Sequence, residues 1–283
     1  MASSLVDIQW GPEGEDKVPL TVITKMYSEP GHILSNLRVN MARDLIRFLQ
    51  LPGLLYARGE PIALVGGGPS LKEHLDEIRS FRHVMACGSV HDFLVDQGVP
   101  FNFALAVDPQ EDAVNWISKP QKETSYLLAS QCHPNLFDSL EGHKIAMWHL
   151  KGQVEPEDEH IFNGEPQINW GPMAGNHSVQ MALYLGFQEL HFFGMDASHR
   201  DGENHAYDVG KYNQEAKDRA TVFKVNGKEF RSTMALITQM EHFFDMFASS
   251  DGKFLKGYVH NDDLWAEVIK ASPPEMKEWL EVA

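Results

Sequence analysis

Residues 62–71 read IALVGGGPSL: the apolar run Ile62, Ala63, Leu64, Val65, then three glycines, then Pro69, Ser70 and Leu71. An apolar run this short, broken by glycine and followed by an amphipathic stretch, predicts a buried strand that turns sharply into a helix. Glycine admits the close backbone approach that an anion needs. Ser70 can cap the next helix, whose free N–H groups then face a ligand. Gly66, Gly67, Gly68, Pro69 and Ser70 are therefore candidate phosphate-holding residues for a nucleotide, with a plain glycine turn of an α/β domain as the alternative.

The same grammar repeats outward from this stretch. Strands are predicted at 62–65, 83–86, 103–107, 126–129, 144–148 and 190–193, and helices at 71–78, 90–96 and 174–185, with an acidic, proline-containing loop at 154–166. Short apolar runs separated by helices require crossover connections. The expected fold is thus α/β: a doubly wound, mostly parallel, Rossmann-like sheet with helices on both faces. Upstream, the spacing predicts a strand at 21–25 and a long helix at 33–49, whose Arg38, Arg43 and Arg47 face solvent or reach a phosphate. Downstream it predicts a hairpin at 221–225 and 228–231 around Asn226 and Gly227, a helix at 233–247 and a late strand at 254–259. The chain divides into an N-terminal polar segment and long helix at 1–60, a nucleotide-binding catalytic domain at 61–260, and a helical tail at 261–283.

Composition narrows the class. The chain has 283 residues, 43% hydrophobic and 23% charged, enough for one large core. Two cysteines, Cys87 and Cys132, supply neither a disulfide scaffold nor a four-cysteine metal site, so a cytoplasmic setting is expected. No stretch is apolar for the length of a membrane span, and a formal charge of −16 opposes nonspecific attraction to nucleic acid or an anionic membrane. A local basic pocket for a nucleotide is compatible with that charge.

Open α/β sheets put their chemistry just past the carboxyl ends of strands, and two carboxylates sit there: Asp108 and Asp196. One can hold Mg²⁺ or the ribose hydroxyls of a nucleotide, which makes Asp108 a nucleotide-binding candidate, the other can orient the acceptor or accept its proton, and either can instead cap a turn. The polar segment 194–210 adds His199, Arg200 and His205, suited to phosphate or proton transfer, while His199, His205 and Asp201 match no strong zinc spacing. At 171–178, GPMAGNHS is a second glycine-containing helix start, in which Gly175, Asn176 and Ser178 can hydrogen-bond a nucleotide. Ser89, after Cys87 and Gly88, is an N-cap or part of the nucleotide floor. Cys87 is assigned to packing.

Together, VGGGPSL at 65–71, ACGSVHDFLVDQGVPFNFALAVDP at 86–109 and AGNHSVQMALYLGFQELHFFGMDASHRDGENHA at 174–206 resemble the MptE-like family. That family holds bacterial motility accessory proteins of glycosyltransferase type and archaeal 6-hydroxymethyl-7,8-dihydropterin pyrophosphokinases. The glycine turn also resembles that of bacterial sialyltransferases with CMP-sugar donors. The resemblance spans about 61–205 and makes Gly66 to Ser70 the glycine turn, Asp108 the first acidic strand end, Gly175 to Ser178 the helix start, and Asp196 the second acidic strand end, with His205 beyond. Met195 stands where many relatives carry a polar residue, and Leu71 takes the final glycine position of a dinucleotide fingerprint.

The resemblance implies a nucleotide-dependent transferase, with a glycosyltransferase using a CMP-sialic-acid-like nucleotide-sugar ahead of an ATP- and Mg²⁺-dependent diphosphokinase. A non-catalytic nucleotide-binding protein is the third reading. Asp196, His205 and Arg200 would be catalytic, Asp108 and Asp196 would hold Mg²⁺ where it is used, and the partners would be a nucleotide-containing donor and a hydroxyl acceptor. Oligomerisation is left open.

Overall fold

The computed structural model describes residues 30–50, 59–168, 171–210, 217, 219–248, 255–272 and 274–283. The strand expected at 21–25 lies outside them, as does the first residue of the strand expected at 254–259.

The strands are β1 (Ile46–Arg47), β2 (Pro61–Val65), β3 (Val84–Cys87), β4 (Phe103–Ala106), β5 (Ser125–Ala129), β6 (Lys144–Leu150), β7 (Gln167–Ile168), β8 (Glu189–Phe193), β9 (Thr221–Val225), β10 (Lys228–Ser232), β11 (Lys256–His260) and β12 (Leu280–Val282). The helices are α1 (Pro30–Met41), α2 (Leu75–Ser80), α3 (His91–Asp96), α4 (Pro134–Ser139), α5 (Ala174–Tyr184), α6 (Met234–Ala248), α7 (Leu264–Ala271) and α8 (Pro274–Lys277). Among the described residues ten strands form one sheet in the order β1-β6-β5-β4-β3-β2-β8-β11-β12, with β7 on β6, and β9 and β10 form a separate antiparallel hairpin. Every pairing within the large sheet is parallel.

From β2 the chain runs outward through β3, β4, β5 and β6, then returns to lay β8 on the other side of β2. The winding reverses there, so the β2–β8 pair is the switch point where such sheets open a crevice. Residues alternate between faces along β8. Phe192 packs on Phe243, Phe247 and Trp265 of α6 and α7, whereas Phe193 packs on His74 and Phe81, which flank α2. Helices thus cover both faces, and a continuous core that includes Ile62, Leu64, Tyr126, Leu128, Phe187 and Phe192 fills the layers.

Three elements depart from the sequence pattern. The helix expected at 33–49 ends at Met41, and β1 begins after four intervening residues. Buried Asn40 donates to the carbonyls of Ser130 and Cys132, and Arg43 pairs with Asp138, which turns the chain onto the sheet edge. Arg47 pairs with Glu165 instead of facing solvent. The helix expected at 71–78 is a 3-10 turn, Pro69–Glu73, followed by α2, and the acidic loop contains a 3-10 helix, Pro156–Phe162, whose Phe162 packs on Ile33 and Leu37. The segment expected to be a helical tail carries α7 and α8 but finishes as β12, paired to β11. Among the described residues no helix is long and apolar enough to cross a membrane.

Candidate functional site

The switch point is built from two turns pressed backbone to backbone. Gly66 N–H donates to Phe193 O at 2.8 Å and Gly68 N–H to Gly194 O at 2.7 Å, carrying the β2–β8 ladder past the strand ends. A Cβ on Gly66 would lie 2.6 Å from Gly194 O, and Gly194 has φ +59°, so both positions require glycine.

Asp196 ties these turns together. Its Oδ2 accepts from Ser70 N–H at 2.8 Å and its Oδ1 from the Ser70 hydroxyl, and the residue is 2% exposed. The anion position at the glycine turn is thus held by the protein's own carboxyl group. Burial, reinforced by the charge of Asp263, pushes the Asp196 pKa up to about 7, against the opposing pull of the two Ser70 bonds and Arg200. That brings the carboxyl group toward neutrality, the range in which general acids and bases work.

The other face of the turn is covered by the loop beyond Asp196. Ala206 N–H donates to Gly67 O at 2.9 Å, and a Cβ on Gly67 would meet both the Tyr207 hydroxyl and the His205 ring. Tyr207 stacks on Phe93 and shares a 2.8 Å hydrogen bond with Ser89, so it bridges the ends of β2 and β3. His205 keeps a buried Nδ1 without a partner, and burial, then the charge of His199, lowers its pKa to about 4, which leaves the imidazole neutral. His205 and Asp196 therefore border consecutive residues of the turn, Gly67 and Gly68. Tyr207 was missed by sequence reasoning. The available signal was an aromatic residue inside an otherwise polar segment.

The start of α5 lies at the same edge, where Ala174 Cβ faces Gly88. Met173 offers no side-chain cap, and the first helical N–H groups to find a carbonyl are those of Asn176 and His177, both on Met173 O. An uncapped N-terminus of this kind attracts phosphate. Gly175 lets Gln239 and Met195 pack against the helix. Asn176 donates to Gln239 O with its Oδ1 left buried and unpartnered, and the Ser178 hydroxyl is spent on Gly175 O at 2.6 Å. Ser178 thus serves the helix and the adjoining Cys87 thiol, which burial raises to about 12.

Two expected residues stand apart from this arrangement. Arg200 donates to Glu73 at 2.6 Å, Asp262 at 2.6 Å and Asp263 at 2.7 Å, so its guanidinium is committed to three carboxylates rather than open to a phosphate. Burial opposes its charge, yet the Glu73 and Asp263 contacts raise its pKa overall. Asp108 follows β4, three strand spacings from β8, and its Oδ1 caps the turn by accepting from Gln110 N–H at 2.8 Å. The strands that the two aspartates follow are three spacings apart, on the order of 14 Å at about 4.8 Å per strand, a separation that disfavours one shared Mg²⁺. Both Asp196 oxygens are also engaged by Ser70, so the residues present do not fit a bridged Mg²⁺. Among the described residues no three His, Cys, Asp or Glu side chains converge to hold a metal ion.

The model of a family described as 6-hydroxymethylpterin diphosphokinase MptE-like matches residues 32–202. No curated protein matches the chain. Among solved structures, the MAf glycosyltransferase of Magnetospirillum magneticum AMB-1 superposes with a TM-score of 0.61 at 17% identity, over 88% of this chain and 40% of that one. The chain thus spans well under half the length of that protein, and the likeness is one of fold. The sialyltransferase CstII of Campylobacter jejuni matches at TM-score 0.41 and 15% identity over 80% of this chain and 86% of that one. A mammalian sialyltransferase matches at 0.40 and 14% over 83% and 80%.

Proposed function

The chain belongs to the 6-hydroxymethylpterin diphosphokinase MptE-like family, and from that premise we propose that it is a nucleotide-dependent transferase moving a glycosyl group from a CMP-sialic-acid-like nucleotide-sugar to a hydroxyl acceptor. The observation that carries this reading is the meeting of a proton-exchanging Asp196 with the glycine turn at the sheet's switch point. In this reading the start of α5 supplies phosphate-binding N–H groups along the same edge, with Ser89, bonded to Tyr207, beside it.

In the proposed transfer the acceptor oxygen bonds to the anomeric carbon of the sugar. The bond from that carbon to the phosphate oxygen breaks, and its electron pair leaves with the nucleoside monophosphate. The acceptor proton passes to Asp196, or to neutral His205 on the neighbouring residue of the turn. Partial positive charge at the α5 N-terminus offsets the charge gathering on the departing phosphate. Opening of the Tyr207 loop is needed for the donor to reach the turn.

The family's description supports a second reading, diphosphoryl transfer, in which a pterin hydroxymethyl oxygen attacks the β-phosphorus of ATP and AMP departs. The separation of Asp108 from Asp196 weighs against it. Two incubations divide the readings: CMP release from CMP-sialic acid supports the first, and AMP formation from ATP, Mg²⁺ and 6-hydroxymethyl-7,8-dihydropterin supports the second. Neither product, with no nucleotide binding by calorimetry, overturns both.

A further inference from the structure

Three residues past Asp196 the loop is stitched to the hairpin. His199 N–H donates to Arg231 O at 2.7 Å, and the Ser232 hydroxyl donates to Ala197 O at 2.6 Å. Beside this seam lies a cavity of about 260 Å³ lined by His199, Gly202, Lys217 and Arg231. Its chemistry runs against the rest of a chain whose formal charge is −16. Lys217 donates to Glu203 at 2.6 Å, and among the described residues no carboxylate pairs with the Arg231 guanidinium. His199 is 9% exposed, and its Nε2 is buried without a hydrogen-bond partner.

Arg231 is exposed and its guanidinium hydrated, so the unmet hydrogen-bonding capacity lies with the buried His199 Nε2, beside which the guanidinium and the Lys217 ammonium stand. The same groups form a ready receptor for an oxyanion, because a phosphate or carboxylate accepts from them. Burial lowers the His199 pKa, as do the charges of Arg231 and Lys217, with Glu203 opposing them. An anion in the cavity reverses that balance.

We propose that the cavity lined by His199, Gly202, Lys217 and Arg231 is an anion-binding subsite for a phosphate or carboxylate group, and that, on the transferase reading above, it holds the charged end of the acceptor. The spacing allows this. Three residues of chain span at most about 11 Å between the Asp196 and His199 Cα atoms, within the length of one sugar-sized molecule.

The test uses inorganic phosphate and acetate as separate probes, without donor, followed by the His199 ring signals in NMR titrations across pH. Wild-type protein should show a saturable response to at least one probe, with the His199 pKa rising on saturation. Arg231→Gln should weaken that binding at least about tenfold, while Lys224→Gln, on the same hairpin but paired with Glu229, should not. A response to phosphate alone assigns a phosphate-bearing ligand, and one to acetate alone a carboxylate-bearing ligand. If Arg231→Gln does not fold, Lys217→Gln takes its place, with weaker binding again expected. No response at His199 to either probe, or equal affinity in wild-type and variant protein, overturns the subsite. Because no turnover is read, failure of the transferase reading leaves this result standing, and the reverse holds too.

Discussion

Asp196 carries two assignments that separate by experiment. As proton acceptor it predicts that Asp196→Asn loses roughly 10²–10⁴-fold in turnover with donor affinity little changed, measured on the same folded sample. As the tie to Ser70 it predicts that the asparagine still folds, because its carbonyl can accept from Ser70 N–H while its amide donates to the hydroxyl. Near-wild-type turnover would remove it as the base. Its raised pKa also sets a pH signature. The folded carboxyl holds a proton up to about pH 7, whereas the unfolded one releases it near 3.8, so the folded state binds more protons between those values. Asp196 therefore lowers stability as pH rises from about 4 to 7, by on the order of 4 kcal/mol at most. Denaturant melts of wild type and Asp196→Asn should diverge over that window, the wild type alone losing this increment. The residue's position past a strand end was legible in sequence. Its bond to Ser70, 126 residues away, was not, since nothing local marks a contact made by the sheet's winding.

At the scale of elements, the glycine turn was legible as a strand-to-helix break, but the reason for its glycines was only half so. Its inner space is filled by Asp196, Gly194 and the His205–Tyr207 segment, all distant in sequence. A Cβ on Gly68 would lie 2.5 Å from Asp196 Oδ2, whereas Gly98 has φ +64° and open space around it. Gly68 has φ −63°, which valine adopts freely, so the penalty there is collision rather than backbone strain. Gly68→Val should destabilise the protein by about 1–3 kcal/mol, read as a lower denaturant midpoint, and weaken nucleotide binding in the protein that folds. Gly98→Ala should cost about 1 kcal/mol and leave that affinity alone. Equal nucleotide affinity in folded Gly68→Val would take the turn out of the site. The early end of α1 was hidden for a related reason: Leu45 and Phe48 continue a helical spacing, yet the carbonyls that capture Asn40 follow β5, some 90 residues on in the chain.

At the scale of the whole molecule, alternation of apolar runs and helices was enough to place β2 to β6 and β8 in one parallel sheet, because each crossover leaves its own local pattern. The margin beyond β8 was less visible. β12 is three residues long, and a strand so short has no periodicity to read. It nevertheless closes the core, since Leu280 is 1% exposed and packs where Gly257 leaves room. Leu280→Ala should destabilise the protein by about 2–5 kcal/mol, read as a lower denaturant midpoint with an unchanged slope. A loss below 0.5 kcal/mol would show that the last strand is dispensable.

The tie between Ser70 and Asp196 also bears on how the protein breathes. Gly68 N–H ends on Gly194 O, Ser70 N–H on the Asp196 carboxyl group, and Trp265 N–H on Asp196 O at 3.3 Å, so three segments remote in sequence share one set of bonds. Their amides should exchange with deuterium through one cooperative opening, with matching protection at Gly68, Ser70 and Trp265, and Asp196→Ala, which removes the Ser70 bond and keeps the two backbone ones, should speed exchange at Ser70 the most. Ligand entry through the Tyr207 loop, which bonds to Gly67 O and Ser89 instead, would then proceed with this unit still shut.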